Sequence, residues 1–244
     1  MKALLVGGSS GVGRALSEAL AGRGDALLLV ASDARDLEPQ ASHLRLVYGV
    51  QVEIVAADAT RPEEFLGKIL SASRSFGVIQ GLFFPIGASV NGDSGTLAMD
   101  ETRQLIDANL LSVMAVVGHF LPEMLAADHG HIVGFGSVAA VRGRRTNVIY
   151  AAAKRGLTSY FESLRHIAAQ SKVRVQLYQL GYVATQQTYG RKLLFQPAHP
   201  ADIAAVVVQN LDRDIGMRYL PRYWALIARL VSALPWMIFK RMDF

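Results

Sequence analysis

The chain has no cysteine among its 244 residues. Disulfides, thiolate catalysis and a cysteine-based zinc site are therefore excluded, and the composition suits a reducing cytoplasm, where we expect the protein. No uncharged apolar run reaches the roughly 18 residues that a bilayer-crossing helix needs. The apolar start Met1 to Val6 stops at Gly7-Gly8-Ser9-Ser10, too short for the core of a signal peptide, so it reads as a first strand. Charged residues are sparse at 18%, and the excess of +5 is spread along the chain. Only Arg142-Gly143-Arg144-Arg145 forms a local basic cluster, and no basic stripe is interleaved with aromatics, which argues against a nucleic-acid partner. His129-x-His131 has no third ligand at a metal-binding spacing and reads as a surface pair.

What is present is a large apolar fraction, 51%, enough for one sizeable core. Short apolar runs near 3–6, 26–31, 51–56, 79–84, 131–135 and 173–178 alternate with helix-length amphipathic segments. This alternation predicts βαβ units and an α/β fold in one domain over 1–244. Ala26-Leu27-Leu28-Leu29-Val30 is the clearest of the runs, continuous as expected of a strand buried on both faces. No repeat, low-complexity tract or linker interrupts the pattern.

After the first predicted strand comes Gly7-Gly8-Ser9-Ser10-Gly11-Val12-Gly13, and then a helical segment. Gly7, Gly11 and Gly13 allow a tight turn and close backbone approach to a pyrophosphate. Ser9, Ser10 and Val12 would present backbone or hydroxyl groups to it at the positive end of the helix. The second strand ends at Val30-Ala31-Ser32-Asp33-Ala34-Arg35. An acid at the strand end selects NAD, whereas Ser32 and Arg35 suit a 2′-phosphate; the charge argument favours NADP(H) over NAD(H), with Asp33 as its opponent. Asp58, beside Ala59 after the third strand, is placed to accept from an adenine amine, or else to cap a turn.

Tyr150 and Lys154 are four apart and share a helical face, so an ammonium can sit near a phenol. A nearby cation lowers a phenol's pKa and brings proton exchange closer to neutral pH. Eight tyrosines and six lysines give about 0.2 such pairs by chance, so the pair gains its meaning from context. That context is the glycine turn, Asp58, Asn109, Ser137, and Gly181-Tyr182-Val183-Ala184-Thr185 after the sixth strand, all in order.

Over residues 1 to about 211 the chain resembles the short-chain dehydrogenase/reductase family in its single-domain form. The resemblance implies a doubly wound (Rossmann), mostly parallel sheet flanked by helices on both faces. It implies that Tyr150 exchanges the substrate proton, Ser137 hydrogen-bonds the substrate oxygen, Lys154 holds the nicotinamide ribose, and Asn109 helps hold a water joining Lys154 to solvent. Gly87, Gly181, Val183 and Thr185 would complete the cofactor site. The expected reaction is ketone/secondary-alcohol interconversion on an apolar or acyl-type substrate. An epimerase or dehydratase using the same Tyr/Lys pair, or an NADP-binding regulator or scaffold, are the alternatives. The family pattern is altered at Val6, at Phe84-Pro85-Ile86-Gly87 and at Leu180-Gly181.

The helical segments 98–128 and 149–171 would carry homodimer or homotetramer contacts, with Met99, Met114 and Met124 filling core or interface. Arg142, Arg144 and Arg145 would face solvent or attract an anionic substrate group. In the apolar extension 222–244, Leu226, Ile227, Leu230, Val231 and Leu234 form one helical stripe. We expect it to cover the substrate pocket or a partner subunit, or to make a peripheral membrane contact.

Overall fold

The glycine-rich turn is held where the sheet changes direction. In a computed structural model describing residues 1–185, 188, 190 and 194–242, seven parallel strands lie in the order β3-β2-β1-β4-β5-β6-β7. Residues 243 and 244, the end of the expected extension, lie outside the described part. The strands are β1 (Lys2–Val6), β2 (Ala26–Ala31), β3 (Val52–Ala56), β4 (Gly81–Phe84), β5 (His131–Ser137), β6 (Arg174–Leu180) and β7 (Met217–Leu220). The order runs outward from β1 one way and from β4 the other, and the crevice at such a switch point is where open α/β sheets bind ligands.

The helices are α1 (Gly11–Ala21), α2 (Ala34–Tyr48), α3 (Pro62–Phe76), α4 (Met99–Ile106), α5 (Ser112–Ala126), α6 (Val148–Ile167), α7 (Pro200–Gln209), α8 (Trp224–Ala233) and a single turn α9 (Trp236–Phe239). Local chemistry starts and stops them. Ser10 caps α1 by accepting from Gly13 N–H, Asp33 caps α2 by accepting from Arg35 N–H, and Gly49 ends α2 at φ 65°. Pro62 opens α3, followed by Glu63 and Glu64 at its positive end.

Alternate residues of each central strand face opposite layers. Leu4, Val6, Leu28 and Val30 join Phe65, Ile69, Val116, Leu157 and Phe161 on one side. Ala3, Leu5, Leu27 and Leu29 join Leu16, Leu20, Leu37 and Ile203 on the other. Each fully buried large side chain contributes roughly 1.5–3 kcal/mol, so β1 and β2, covered on both faces, anchor the fold.

Three features differ from the sequence expectation. The edge strand β7, Met-Arg-Tyr-Leu, is exposed at its first two residues and so lacks the apolar run that marks the others. The 98–128 segment is one helical stretch broken by a π-helical turn, Asp107–Leu111, that holds Asn109. That stretch contains an apolar helix, Met99–Ala126, long enough to cross a membrane by length and composition, but more than half of its apolar window is buried in the protein. Of the methionines expected in core or interface, Met124 is in the core, and Met99 and Met114 are exposed on the helices expected to carry subunit contacts. His131 is buried, not on the surface; its Nδ1 lies 3.2 Å from the Leu211 carbonyl, and burial pushes its pKa down. No group of three metal-binding side chains occurs among the described residues.

Candidate active site

Two turns abut at the switch point. A Cβ on Gly7, which sits at φ 95°, would lie 2.8 Å from the Ile86 nitrogen in the turn after β4. One on Gly13 would overlap the Gly7 carbonyl oxygen, and one on Gly11 would lie 2.8 Å from Thr185 Cγ2. The three glycines therefore allow close backbone packing that no larger residue permits. Ser10 Oγ accepts from Gly13 N–H at 2.9 Å and lies 3.3 Å from the Pro85 carbonyl, which it can donate to. Among the described residues the N–H groups of Gly11 and Val12 have no protein acceptor. They stand at the positive end of α1, the kind of helix terminus that attracts anions.

The catalytic candidates converge beside this turn. Ser137 ends β5 and Tyr150 and Lys154 lie on α6, one turn apart. Lys154 is buried, and its Nζ donates to the carbonyls of Ile86 at 3.0 Å and Phe135 at 3.1 Å. Burial pulls its pKa from 10.5 down to about 8. Nζ is 5.9 Å from the Tyr150 ring centroid. Burial pushes the Tyr150 phenol up, and a hydrogen bond with Ser137 opposes that shift. The expected lowering of the phenol's pKa by Lys154 is not among its causes: Ser137 alone acts in that direction.

Asn109 is fully buried and spends both ends of its amide on backbone. Its Nδ2 donates to Ala88 O and Leu105 O, each at 2.8 Å, and its Oδ1 accepts from Ala88 N–H at 3.2 Å. It thereby fixes the turn bearing Gly87, whose missing Cβ would stand 3.7 Å from both Asn109 Oδ1 and Lys154 Nζ. The altered Pro85-Ile86 turn keeps its bracing role because the groups that matter there are main-chain carbonyls, bonded by Ser10 and Lys154.

A cavity of about 590 Å³ joins Ser9, Ser10, Gly11, Val12 and Gly87 to Ser137, Tyr150 and Lys154 and to Gly181, Val183 and Thr185. Gly7, Gly13 and Asn109 support it from behind. Ser32, Arg35, Asp58 and Ala59 do not line it. Arg35 folds back onto Asp33, with its guanidinium 2.5 Å from the carboxylate, and holds the Asp33 carboxyl below the usual range. Asp58 Oδ1 accepts from the N–H and hydroxyl of Thr60, both at 2.9 Å, so its side chain shapes a turn.

Three contributors escaped the sequence reading. Asp93, buried in the loop after β4, accepts from the N–H groups of Ile149 and Tyr150 at 3.0 Å each. The Phe135 carbonyl holds Lys154, and Thr188 Oγ1 accepts from Thr185 N–H at 3.1 Å. No spacing rule signals any of them. In the basic loop, Arg142 and Arg145 also have a task that neither expectation named. Arg142 Nη1 donates to Val231 O at 2.9 Å and Leu234 O at 2.5 Å, its guanidinium lies 4.0 Å from the Phe239 ring centroid, and Arg145 donates to Lys240 O at 3.2 Å. Arg142 and Arg145 fasten the C-terminal helices to the loop between Ser137 and Tyr150, while Arg144 lines the cavity.

The comparisons agree with this geometry. The model of the short chain dehydrogenase family matches residues 1–192. An uncharacterized oxidoreductase of Myxococcus xanthus (strain DK1622) is 33% identical over 96% of this chain and 92% of its own length. An uncharacterized oxidoreductase of Mycobacterium tuberculosis is 26% identical over 96% and 94%. A short-chain dehydrogenase from Sphingobium yanoikuyae, solved in complex with NADPH, superposes with TM-score 0.83 at 25% identity over 96% of both chains. The bulky-bulky ketone specific alcohol dehydrogenase from Comamonas testosteroni shares the fold, with TM-score 0.82 at 21% identity over 96% and 95%. With its glycine turn, its Ser137/Tyr150/Lys154 set and the family match over most of its length, the chain belongs to the short-chain dehydrogenase family and is an oxidoreductase.

Proposed function

We propose that the protein interconverts a ketone and a secondary alcohol on an apolar or acyl-type substrate, using NADP(H) in preference to NAD(H). The observation that carries this reading is a cavity in which the Tyr150 phenol, hydrogen-bonded with Ser137, meets the glycine turn of α1. The cofactor fits on physical grounds: Gly11 and Val12 N–H groups, without an acceptor among the described residues, suit a pyrophosphate, and Gly87 leaves room beside Lys154 for a ribose. The nicotinamide, when bound, supplies or accepts the hydride.

Tyr150 donates a proton to the substrate oxygen in reduction and takes it back in oxidation. Ser137 donates a hydrogen bond to the same oxygen, stabilising the charge that develops there. Lys154, already held on two carbonyls, would present its remaining N–H to the ribose, and Asn109, whose amide is committed to backbone rather than to the expected water, would keep the Gly87 turn in place beside it. The apolar preference is supported by the aromatic group beside the cavity: Tyr182 lines it, and Trp224 stands 5.3 Å from the rings of both Tyr182 and Phe195.

Exposed Arg35 and Ser32 favour the 2′-phosphate, provided that Arg35 exchanges Asp33 for it. Titrating the purified protein with NADPH and NADH tests this preference. We expect tighter NADPH binding and loss of the difference in Arg35→Ala. Following reduced-nicotinamide absorbance with bulky ketones, steroid ketones and acyl thioesters tests the reaction. Demonstrated cofactor binding without turnover of any of these carbonyls would sink it. The exposed Met99, Leu111, Met114 and Ile167 on α4 to α6 support a homodimeric or homotetrameric assembly through those helices, which light scattering would measure.

A further inference from the structure

The expected stripe of α8 is divided between two environments. Trp224 and Ala228 are buried, and Ile227, Val231 and Leu234 are half-buried, whereas Leu226 and Leu230 point outward. Trp236, Met237 and Ile238 of α9 are also outward, and these five large apolar side chains are 53–64% exposed. They are not a loose tail. Phe239, on the same turn, is buried under the Arg142 guanidinium, and Arg142 holds the carbonyls that end α8. An ordered, anchored element that leaves Trp, Met and Ile in water is built to meet another surface.

The chemistry of that surface follows from charge. From Ile215 to Met242 the chain carries five cations, Arg218, Arg222, Arg229, Lys240 and Arg241, and no Asp or Glu. None of the five pairs with a carboxylate among the described residues. Arg218, Arg222 and Arg229 line a groove of about 810 Å³ between β7 and α8, and Arg229 follows Leu226 by three residues, so cation and apolar groups share one face. A second copy of the chain is a poor occupant. A two-fold contact centred on the groove would bring Arg218, Arg222 and Arg229 against their own copies. An anionic bilayer satisfies both halves: phosphates meet the arginines, and the acyl boundary takes Trp236, Met237, Ile238, Leu226 and Leu230.

We propose that β7, α8 and α9 form a peripheral docking surface for anionic membranes. Because Arg142 and Arg145 tie this surface to the loop that carries Arg144 and Asn147 to the cavity, docking sets the mouth of the active site against the lipid. The docking does not depend on the proposed reaction and is tested without it. The full chain would be sedimented with vesicles of equimolar phosphatidylglycerol and phosphatidylcholine, and with phosphatidylcholine alone. We expect strong, salt-sensitive binding to the first and weak binding to the second. Replacing Trp236, Met237 and Ile238 together by Ser, or Arg218, Arg222 and Arg229 together by Gln, should each lower the partition coefficient by about a hundredfold or more.

A second measurement avoids variants that fail to fold. Of the two tryptophans, Trp224 is buried and Trp236 exposed, so a blue shift of emission on adding anionic vesicles to the unaltered protein reports Trp236 entering the interface. Absence of both sedimentation and blue shift overturns the proposal. So does binding that survives the triple Ser variant, which would be charge adsorption alone. Dissociation of a homo-oligomer by that variant, with vesicle binding unchanged, would assign the surface to a second copy instead.

Discussion

The carboxylate of Asp93 caps the helix that carries Tyr150: one oxygen accepts from Tyr150 N–H and the other from Ile149 N–H, both at 3.0 Å. Asn147, which precedes the helix at φ 55°, gives no side-chain cap, so the cap is supplied by a residue 57 positions away. Tyr150 and the loop after β4 are thereby fixed to each other.

Asp93→Ala leaves two N–H groups without their acceptor and should destabilise the protein by about 1–2 kcal/mol. We expect kcat to fall by roughly tenfold as Tyr150 loses its placement, with Asp93→Asn, which retains one amide oxygen, recovering part of both. Denaturant unfolding and steady-state kinetics of the two variants check this; equal behaviour of Ala and Asn would remove the capping role.

Lys154 links function to stability through its burial. Its folded pKa is about 8 against an ordinary 10.5, so the cost of burying the ammonium is fully present below pH 8. It disappears as pH rises towards 10.5, where the unfolded chain also loses the proton. Wild type should therefore gain stability relative to Lys154→Met between those pH values, by up to about 3 kcal/mol. Melting temperatures of both proteins across that range measure the difference, and a pH-independent difference would contradict it.

Ser137 stabilises the ionised Tyr150 by hydrogen bonding, against a burial effect that raises its pKa. Ser137→Ala removes the stabilising partner, so the phenol ionises at still higher pH. The pH profile of alcohol oxidation should move to the alkaline side, and kcat should drop about 10²-fold or more. Tyr150→Phe should abolish turnover while leaving cofactor binding in place, as read by nucleotide titration.

Gly181 faces the indole of Trp224, which a Cβ at this position would overlap. Because that indole joins β6 to the C-terminal helix, Gly181→Ala should destabilise by about 1–3 kcal/mol. Limited proteolysis should then cut first within α8 and α9; unchanged cleavage there would show that the helix docks independently of Trp224.

Arg142→Ala tests the same attachment from the other side. It removes two hydrogen bonds to the end of α8 and the cation over Phe239. Hydrogen exchange should rise in 224–239 by at least tenfold, while β1, β2 and β4 keep their protection.

The parts of this protein that its sequence determined are those whose physics is local. Six strands were legible as apolar runs, the glycine turn as strand, glycines and helix in succession, and the Tyr150/Lys154 pair as helical spacing. β7 was not, because its edge position leaves it half in water without an apolar run. Asp93, and the carbonyls of Ile86 and Phe135 that hold Lys154, were not either: a backbone oxygen has no sequence signature, and a cap from a distant loop obeys no period. The stripe of α8 was correctly read as apolar, but the register of that helix against β6 and Arg142 decided which of its side chains were covered and which were left facing outward. Residue type and spacing set the chemistry available to the chain; the packing of distant segments decided which carbonyls, caps and faces that chemistry met.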